Sequence, residues 1–119
     1  MRIRVRLYGI LKSAANTEAL DLEFGKGATI RELIAKIVGT VARPEFENYL
    51  IDSDLKDPRP NALILVSGTE IGALDGLDTM LQDGDEVVFL PVAHGGSAHI
   101  WVSRHSEYLD FISTASMLA

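Results

Sequence analysis

The sequence predicts an α+β fold in which a mixed β-sheet cradles one main helix. Residues 2–9 and 19–24 alternate apolar and polar side chains, as strands with one buried face do. Residues 29–41 carry apolar side chains at helical spacing, and the apolar runs at 62–66 and 86–90 predict two later strands. Because a hairpin, one helix and further strands do not form a simple βαβ repeat, the order favours an α+β roll.

The first two strands are predicted to form an antiparallel hairpin with a long connection. In the first strand, alternation places Ile3, Val5 and Leu7 on one face, and Tyr8 with three arginines on the other. Residues 10–17 between the strands are small and mixed in character, which indicates a loop or a single helical turn.

Thr29 is predicted to begin the main helix. Thr29 and Glu32 match a capping box, in which the threonine oxygen accepts an amide hydrogen and the glutamate reaches back. Pro44 prevents this helix from continuing far. A short second helix at 44–50 is expected to cover the end of the sheet with Phe46, Tyr49 and Leu50.

The second half of the chain is predicted to complete the sheet. Residues 52–60 are acidic and contain two prolines, which indicates an exposed loop. A very short strand is expected around Ile71 and a single helical turn at 77–81. The last strand, 86–90, is expected to end at Pro91, which has no N–H to donate.

Composition restricts the classes of function. The chain has 119 residues, 47% of them apolar, and this suits one small domain. Its net charge of −6 argues against nucleic acid as a partner, and the absence of cysteine excludes disulfides, thiolate catalysis and iron–sulfur ligation. No apolar run suits a membrane span or a signal peptide, so we expect a cytoplasmic protein and no membrane partner. The three histidines lack ligand spacing, so no metal site is expected.

The segment after the last strand ends in Gly95 and Gly96. A pair of glycines taken alone is more typical of a flexible joint than of a chain end that enters a narrow channel in another protein. The surrounding residues separate these two readings. Several pieces of the chain resemble the sulfur-carrier branch of the ubiquitin-like, or β-grasp, proteins: Leu7-Tyr8-Gly9, residues 28–33, 66–68 and 77–87, and Phe89-Leu90-Pro91 leading to Gly95-Gly96.

This branch is typified by the small subunit of molybdopterin synthase and the thiamine-pathway sulfur carrier, and it includes the archaeal ubiquitin-like modifiers. The resemblance covers residues 1–96. The sequence departs from the family pattern where Val92 replaces a second proline and where His94 precedes the glycines. It also continues beyond Gly96, with residues 97–119 as a C-terminal extension.

The resemblance implies that the reacting group is the carboxylate of Gly96, with Gly95 before it. An E1-like adenylating enzyme would join this carboxylate to AMP, using ATP. A sulfur donor would then convert it to a thiocarboxylate, or a target-protein lysine would take it as an isopeptide. The carrier supplies no catalytic side chain, so we expect it not to be an enzyme and to hold no permanent cofactor. A molybdopterin-synthase-like large subunit is a further implied partner.

The resemblance also implies a partner-binding set beside the glycines: Tyr8, Val88, Leu90, Pro91 and His94. Val88 and Leu90 alternate with Val87 and Phe89 along the last strand, so they point away from the core if the latter two point into it. We therefore expect Tyr8, Val88 and Leu90 to form an exposed apolar patch.

Gly96 has no free carboxylate in this sequence, because its carbonyl forms the amide bond to Ser97. The family function therefore requires a processing protease to cleave between Gly96 and Ser97. The extension is rich in apolar residues, and three accounts of it stay open: a cleavable cap, a permanent element packed on the domain, or an extension foreign to the native protein. The alternative function is a non-conjugating ubiquitin-like interaction module with a permanent C-terminal element.

Overall fold

The computed structural model describes residues 1–92, so the predictions for His94, Gly95, Gly96, Ser97 and the extension lie outside it. Within this range a five-stranded sheet is combined with three helices. The elements in chain order are β1 (Arg2–Leu7), α1 (Gly9–Ala15), β2 (Ala19–Glu23), α2 (Ile30–Val41), α3 (Pro44–Leu50), β3 (Ala62–Val66), β4 (Thr69–Glu70), two 3₁₀ turns (Ile71–Ala73 and Gly76–Asp78) and β5 (Glu86–Pro91).

The sheet is mixed, with the strand order β2-β1-β5-β3-β4. β1 and β5 are parallel neighbours at its centre, with Val5 opposite Val87 and Leu7 opposite Phe89. The β1–β2, β3–β5 and β3–β4 pairs are antiparallel. The predicted hairpin and the central position of the last strand are both confirmed.

α2 is the main helix, and its start follows the predicted cap. The Thr29 hydroxyl accepts a hydrogen bond from the Glu32 amide at 3.4 Å and donates to the Glu32 carboxylate at 3.4 Å. The helix is followed by its C-cap residue, Ala42, whose φ of 52° is left-handed and whose amide donates to the Val38 carbonyl. Gly39 within α2 does not end the helix, because the buried residues of its inner side hold it to the core.

One large core lies between the helices and the inner face of the sheet. Ile3, Val5, Leu7, Val87 and Phe89 are buried there, as the alternation of their strands predicts, and so are Leu33 and Ile37 of α2 and Val66 of β3. Phe46 and Leu50 of α3 join this core as expected. Tyr49 does not, because its side chain is 48% exposed, so the expectation that it covers the sheet end is wrong.

Two segments differ locally from expectation. A seven-residue helix, α1 (Gly9–Ala15), occupies most of the segment 10–17, where a loop or single turn was expected. Its apolar positions Leu11, Ala14 and Ala15 are spaced three and four apart and are buried, and this burial stabilises a helix too short to form alone. The short strand precedes Ile71, which instead begins a 3₁₀ turn with its side chain in the core.

No helix among residues 1–92 is both long enough and apolar enough to cross a membrane.

Candidate functional site: the end of β5 and the outer face of the sheet

The turn before β5 is tied to both neighbouring strands. Gly84 has a φ of 87°, which favours glycine, and its amide donates to the Arg2 carbonyl at 2.9 Å. The carboxylate of Asp85 accepts from the Gln82 amide at 2.8 Å and from the Ser67 hydroxyl at 2.9 Å. These bonds fix the start of β5, and therefore the direction in which the strand runs toward the glycines.

The other end of β5 is where the chain leaves the sheet. Pro91 was expected to end the strand, and it is the last residue of β5, buried and opposite Ala62 of β3. The next amide, of Val92, donates to the Asn61 carbonyl at 2.9 Å. The backbone is thus held by hydrogen bonds up to Val92, four residues before Gly96.

The outer face of the sheet, opposite the helices, carries a second apolar cluster. Leu65, Val88 and Leu90 form its centre, and Leu63 and Tyr8 are partly buried against it. We call these five residues the outer-face cluster. The prediction that Val88 and Leu90 point away from the main core is confirmed, because they belong to this separate cluster.

The prediction that this patch is exposed is wrong. Val88 is 3% exposed and Leu90 is 1% exposed, and Leu65, opposite Val88 on β3, is fully buried. Tyr8 is partly buried. The partner-binding roles of Tyr8, Val88, Leu90 and Pro91 stay predictions, since burial in this chain does not establish what these residues bind.

Leu63 and Leu65 are the members of the cluster that the sequence analysis missed, although their signal was present. Residues 62–66 are apolar without alternation, and so are residues 87–90. An unbroken apolar run is typical of a strand that is buried on both faces, whereas β1 alternates because its outer face meets water. The two uniform runs form neighbouring strands, and each strand contributes side chains to the main core on one face and to the outer-face cluster on the other.

Paired charges border the outer-face cluster on the side of β1. The Nε of Arg6 lies 2.8 Å from the Glu86 carboxylate, and the hydrogen bond to this carboxylate raises the pKa of Arg6. Arg4 donates two hydrogen bonds of 2.9 Å to Asp21 of β2. The outer face therefore combines an apolar centre on β3 and β5 with a border of ion pairs on β1 and β2.

No side-chain cluster that could bind a metal is present between Met1 and Val92: no three of the His, Cys, Asp and Glu residues in that range are suitably grouped.

The sheet order, the parallel central pair and the helix packed across them define a ubiquitin-like β-grasp protein. The model of the ThiS family matches residues 5–96, from the first strand to the second glycine. The chain belongs to the ThiS family, whose members include ubiquitin-like sulfur carriers and small archaeal modifiers.

Individual relatives agree with this assignment. The chain is 30% identical over 100 residues to small archaeal modifier protein 3 of Haloferax volcanii. This alignment covers 80% of this chain and 100% of that protein. The crystal structure of SAMP1 from Haloferax volcanii matches with a TM-score of 0.67 and 21% identity, over 81% of this chain and 100% of that one. The solution structure of Urm1 from Trypanosoma brucei matches with a TM-score of 0.65 and 26% identity, over 80% of this chain and 95% of that one.

Proposed function

We propose that this protein is a sulfur carrier or protein modifier that is activated at Gly96 after residues 97–119 have been removed. The observation that carries the proposal is the extent of the family match, which runs to Gly96 and leaves the extension outside. The relationship to a small archaeal modifier protein supports the same reading. The proposed partners are a processing protease, an E1-like adenylating enzyme, and either a sulfur donor or target-protein lysines.

The proposed chemistry needs a free carboxylate and no side chain of the carrier. Hydrolysis of the bond between Gly96 and Ser97 gives this carboxylate. One of its oxygens attacks the α-phosphorus of ATP within the adenylating enzyme, and pyrophosphate leaves. Sulfide, as HS⁻, then attacks the glycyl carbonyl carbon, AMP leaves, and loss of the S–H proton gives a thiocarboxylate. A lysine amine attacking the same carbon gives an isopeptide bond instead.

The fold suits the delivery of this carboxylate. The backbone is hydrogen-bonded up to Val92, so the rigid body ends a short distance before Gly96. Glycine leaves the reacting carbonyl carbon unhindered and allows the end to enter a narrow active site. A rigid domain for recognition and a short end for reaction are together what a carrier requires.

The proposal is tested by comparing the full chain with a chain that stops at Gly96. With a cognate adenylating enzyme and ATP, we expect only the shorter chain to release pyrophosphate, because only it has a carboxylate at Gly96. Addition of sulfide should then change the mass of its C-terminus by the exchange of one oxygen for sulfur. Equal pyrophosphate release from both chains would show that the activated group is not Gly96.

A matched pair of substitutions distinguishes an effect on the reaction at Gly96 from an effect on folding. In the chain that stops at Gly96, Gly96→Val should block pyrophosphate release by crowding the carboxylate, while far-UV circular dichroism stays unchanged. Leu55→Val changes a side chain that is 67% exposed, in the loop between α3 and β3, and should leave pyrophosphate release unchanged. Full release from the Gly96→Val chain would remove Gly96 from the reaction.

A second candidate is a non-conjugating interaction module in which the extension is permanent. The observation that favours it is the burial of Val88 and Leu90, which a carrier was expected to expose. If this candidate holds, the chain isolated from its native cells retains residues 97–119.

A further inference from the structure

We propose that Leu74, Asp75, Met80 and Asp83 form a docking surface for a basic amphipathic helix of another protein. We call these four residues the Met80 surface. It lies beside the turn that leads into β5, whereas Gly96 follows the other end of that strand. The proposal is therefore independent of the proposed function, which concerns the reaction at Gly96.

Met80 and Leu74 are large apolar side chains that the fold leaves in contact with water. Met80 is 62% exposed and Leu74 is 43% exposed. Their apolar neighbours in the same segment, Ile71, Leu77 and Leu81, are buried in the main core. Leu74 and Met80 lie outside this core, so the packing of the domain does not explain why these two positions are apolar.

The backbone on both sides of Met80 is fixed by hydrogen bonds. The Thr79 carbonyl accepts from the Ile30 amide at 3.0 Å, and the Leu81 amide donates to the Ala28 carbonyl at 2.9 Å. Because Thr79 and Leu81 are buried, alternation directs the side chain of Met80 between them into solvent. A side chain on an ordered backbone loses less conformational entropy when a partner binds it.

The turn that carries Leu74 and Asp75 is held in the same way. The Leu74 amide donates to the Ile71 carbonyl at 3.0 Å, and the Asp75 amide donates to the Thr79 hydroxyl at 3.0 Å. That hydroxyl donates in turn to the Gly76 carbonyl at 2.7 Å. The backbone of the Met80 surface is therefore ordered before any partner binds.

Met80 lies between two open hollows in the protein surface. Each hollow has a volume of about 570 Å³, and Met80 and Gln82 line both. Leu74 lines the first hollow and Met1 lines the second. A helix carries side chains three or four residues apart on one face. Two apolar side chains of a helix can therefore enter the hollows on either side of Met80.

The charges around the hollows favour a basic partner. Among residues 1–92, the hollows are lined by the carboxylates of Asp75, Asp83 and Asp85 and by one ammonium group, that of Lys26. Lysine and arginine side chains beside the apolar residues of a helix complement this excess of negative charge. A second copy of this chain is a poorer partner, because it brings the same carboxylates and a net charge of −6.

The proposal is tested by titrating the full, isotope-labelled chain with synthetic helical peptides while its amide NMR signals are recorded. Each peptide is about 18 residues long, or five helical turns, and lysine-rich, with two leucines three, four or seven positions apart. We expect binding to shift the amide signals of Leu74 and Met80 more than those of Tyr49 and Leu55, which are exposed apolar residues elsewhere. The same peptides with glutamate in place of lysine should not bind.

Two serine substitutions locate the binding site. Met80→Ser should weaken peptide binding by about tenfold, as the loss of a central apolar anchor does. Leu55→Ser removes a similarly exposed side chain in the loop between α3 and β3 and should leave the affinity unchanged. Asp75→Asn should weaken binding severalfold and reduce its dependence on salt.

The proposal would be overturned if none of the lysine-rich peptides bound, if Met80→Ser and Leu55→Ser bound them equally well, or if the shifts centred away from the Met80 surface. Met80 signals that move as the concentration of the protein alone is raised would show that a second copy occupies the surface, which also contradicts the proposal. The titration uses neither ATP nor an adenylating enzyme, so its failure leaves activation at Gly96 untouched.

Discussion

At the scale of one residue, Phe89 belongs to a strand, β5, that has buried side chains on both faces of the sheet. Its side chain is fully buried in the main core, while its neighbours Val88 and Leu90 belong to the outer-face cluster. Phe89→Ala would leave a cavity between the sheet and the helices. We expect it to lower the free energy of unfolding by about 3–5 kcal/mol.

Such a loss is a large share of the stability of a small domain. Urea unfolding followed by far-UV circular dichroism measures it. The matched control is Leu55→Ala, which removes a side chain already exposed to water and should change the same free energy by less than about 0.5 kcal/mol. A cost of Phe89→Ala no larger than that of the control would contradict the placement of β5 at the centre of the core.

At the scale of the elements, an ion pair stabilises the loop between α3 and β3. The Asp57 carboxylate accepts hydrogen bonds from the Arg59 amide at 2.8 Å and from the Arg59 Nε at 2.9 Å. The hydrogen bonds with the Arg59 side chain are the main reason that the pKa of Asp57 is lowered from its ordinary value of 3.8. A lowered pKa in the folded state means that the ionised form contributes stability above the ordinary pKa.

This contribution is lost as the pH falls from the ordinary pKa through the lowered one. Asp57→Asn should therefore lower the free energy of unfolding by up to about 1 kcal/mol at neutral pH, since the pair is partly exposed. The stabilities of the two proteins should begin to converge as the pH falls below about 3.8 and should become equal only below the lowered pKa of Asp57. Urea unfolding across this range measures the difference, and a difference independent of pH would contradict the role of the carboxylate.

The sequence predicted best those elements whose residue pattern follows directly from burial of one face. Alternation alone places β1 and β2, and a capping threonine with an apolar stripe places α2. α1 was missed because seven residues are too few for a clear period, and only the core that buries Leu11 makes the helix stable.

The outer face was predicted incorrectly for a different reason. The resemblance to carriers with a partner-binding surface led to the expectation of an exposed patch, although the uniform apolar runs of β3 and β5 indicated two buried faces. Alternation still gave the correct direction of Val88 and Leu90. Whether such a face is open or covered depends on what packs against it, and a pattern within one strand does not carry that information.

At the scale of the whole molecule, the domain and the glycine pair have separate tasks. The sheet holds the chain up to Val92, and the proposed reaction takes place four residues later, at Gly96. In the proposed function, one cleavage after Gly96 frees the carboxylate that reacts, and the described domain supplies the surface that partner proteins recognise.

The most direct test of this account is the intact mass of the protein isolated from its native cells. We predict a chain whose mass ends at Gly96, carrying either a carboxylate or the oxygen-to-sulfur exchange of a thiocarboxylate. Conjugates in which Gly96 is joined to a lysine of another protein would agree equally with the account. A protein found only at full length, with residues 97–119 still attached, would contradict it and favour the permanent interaction module.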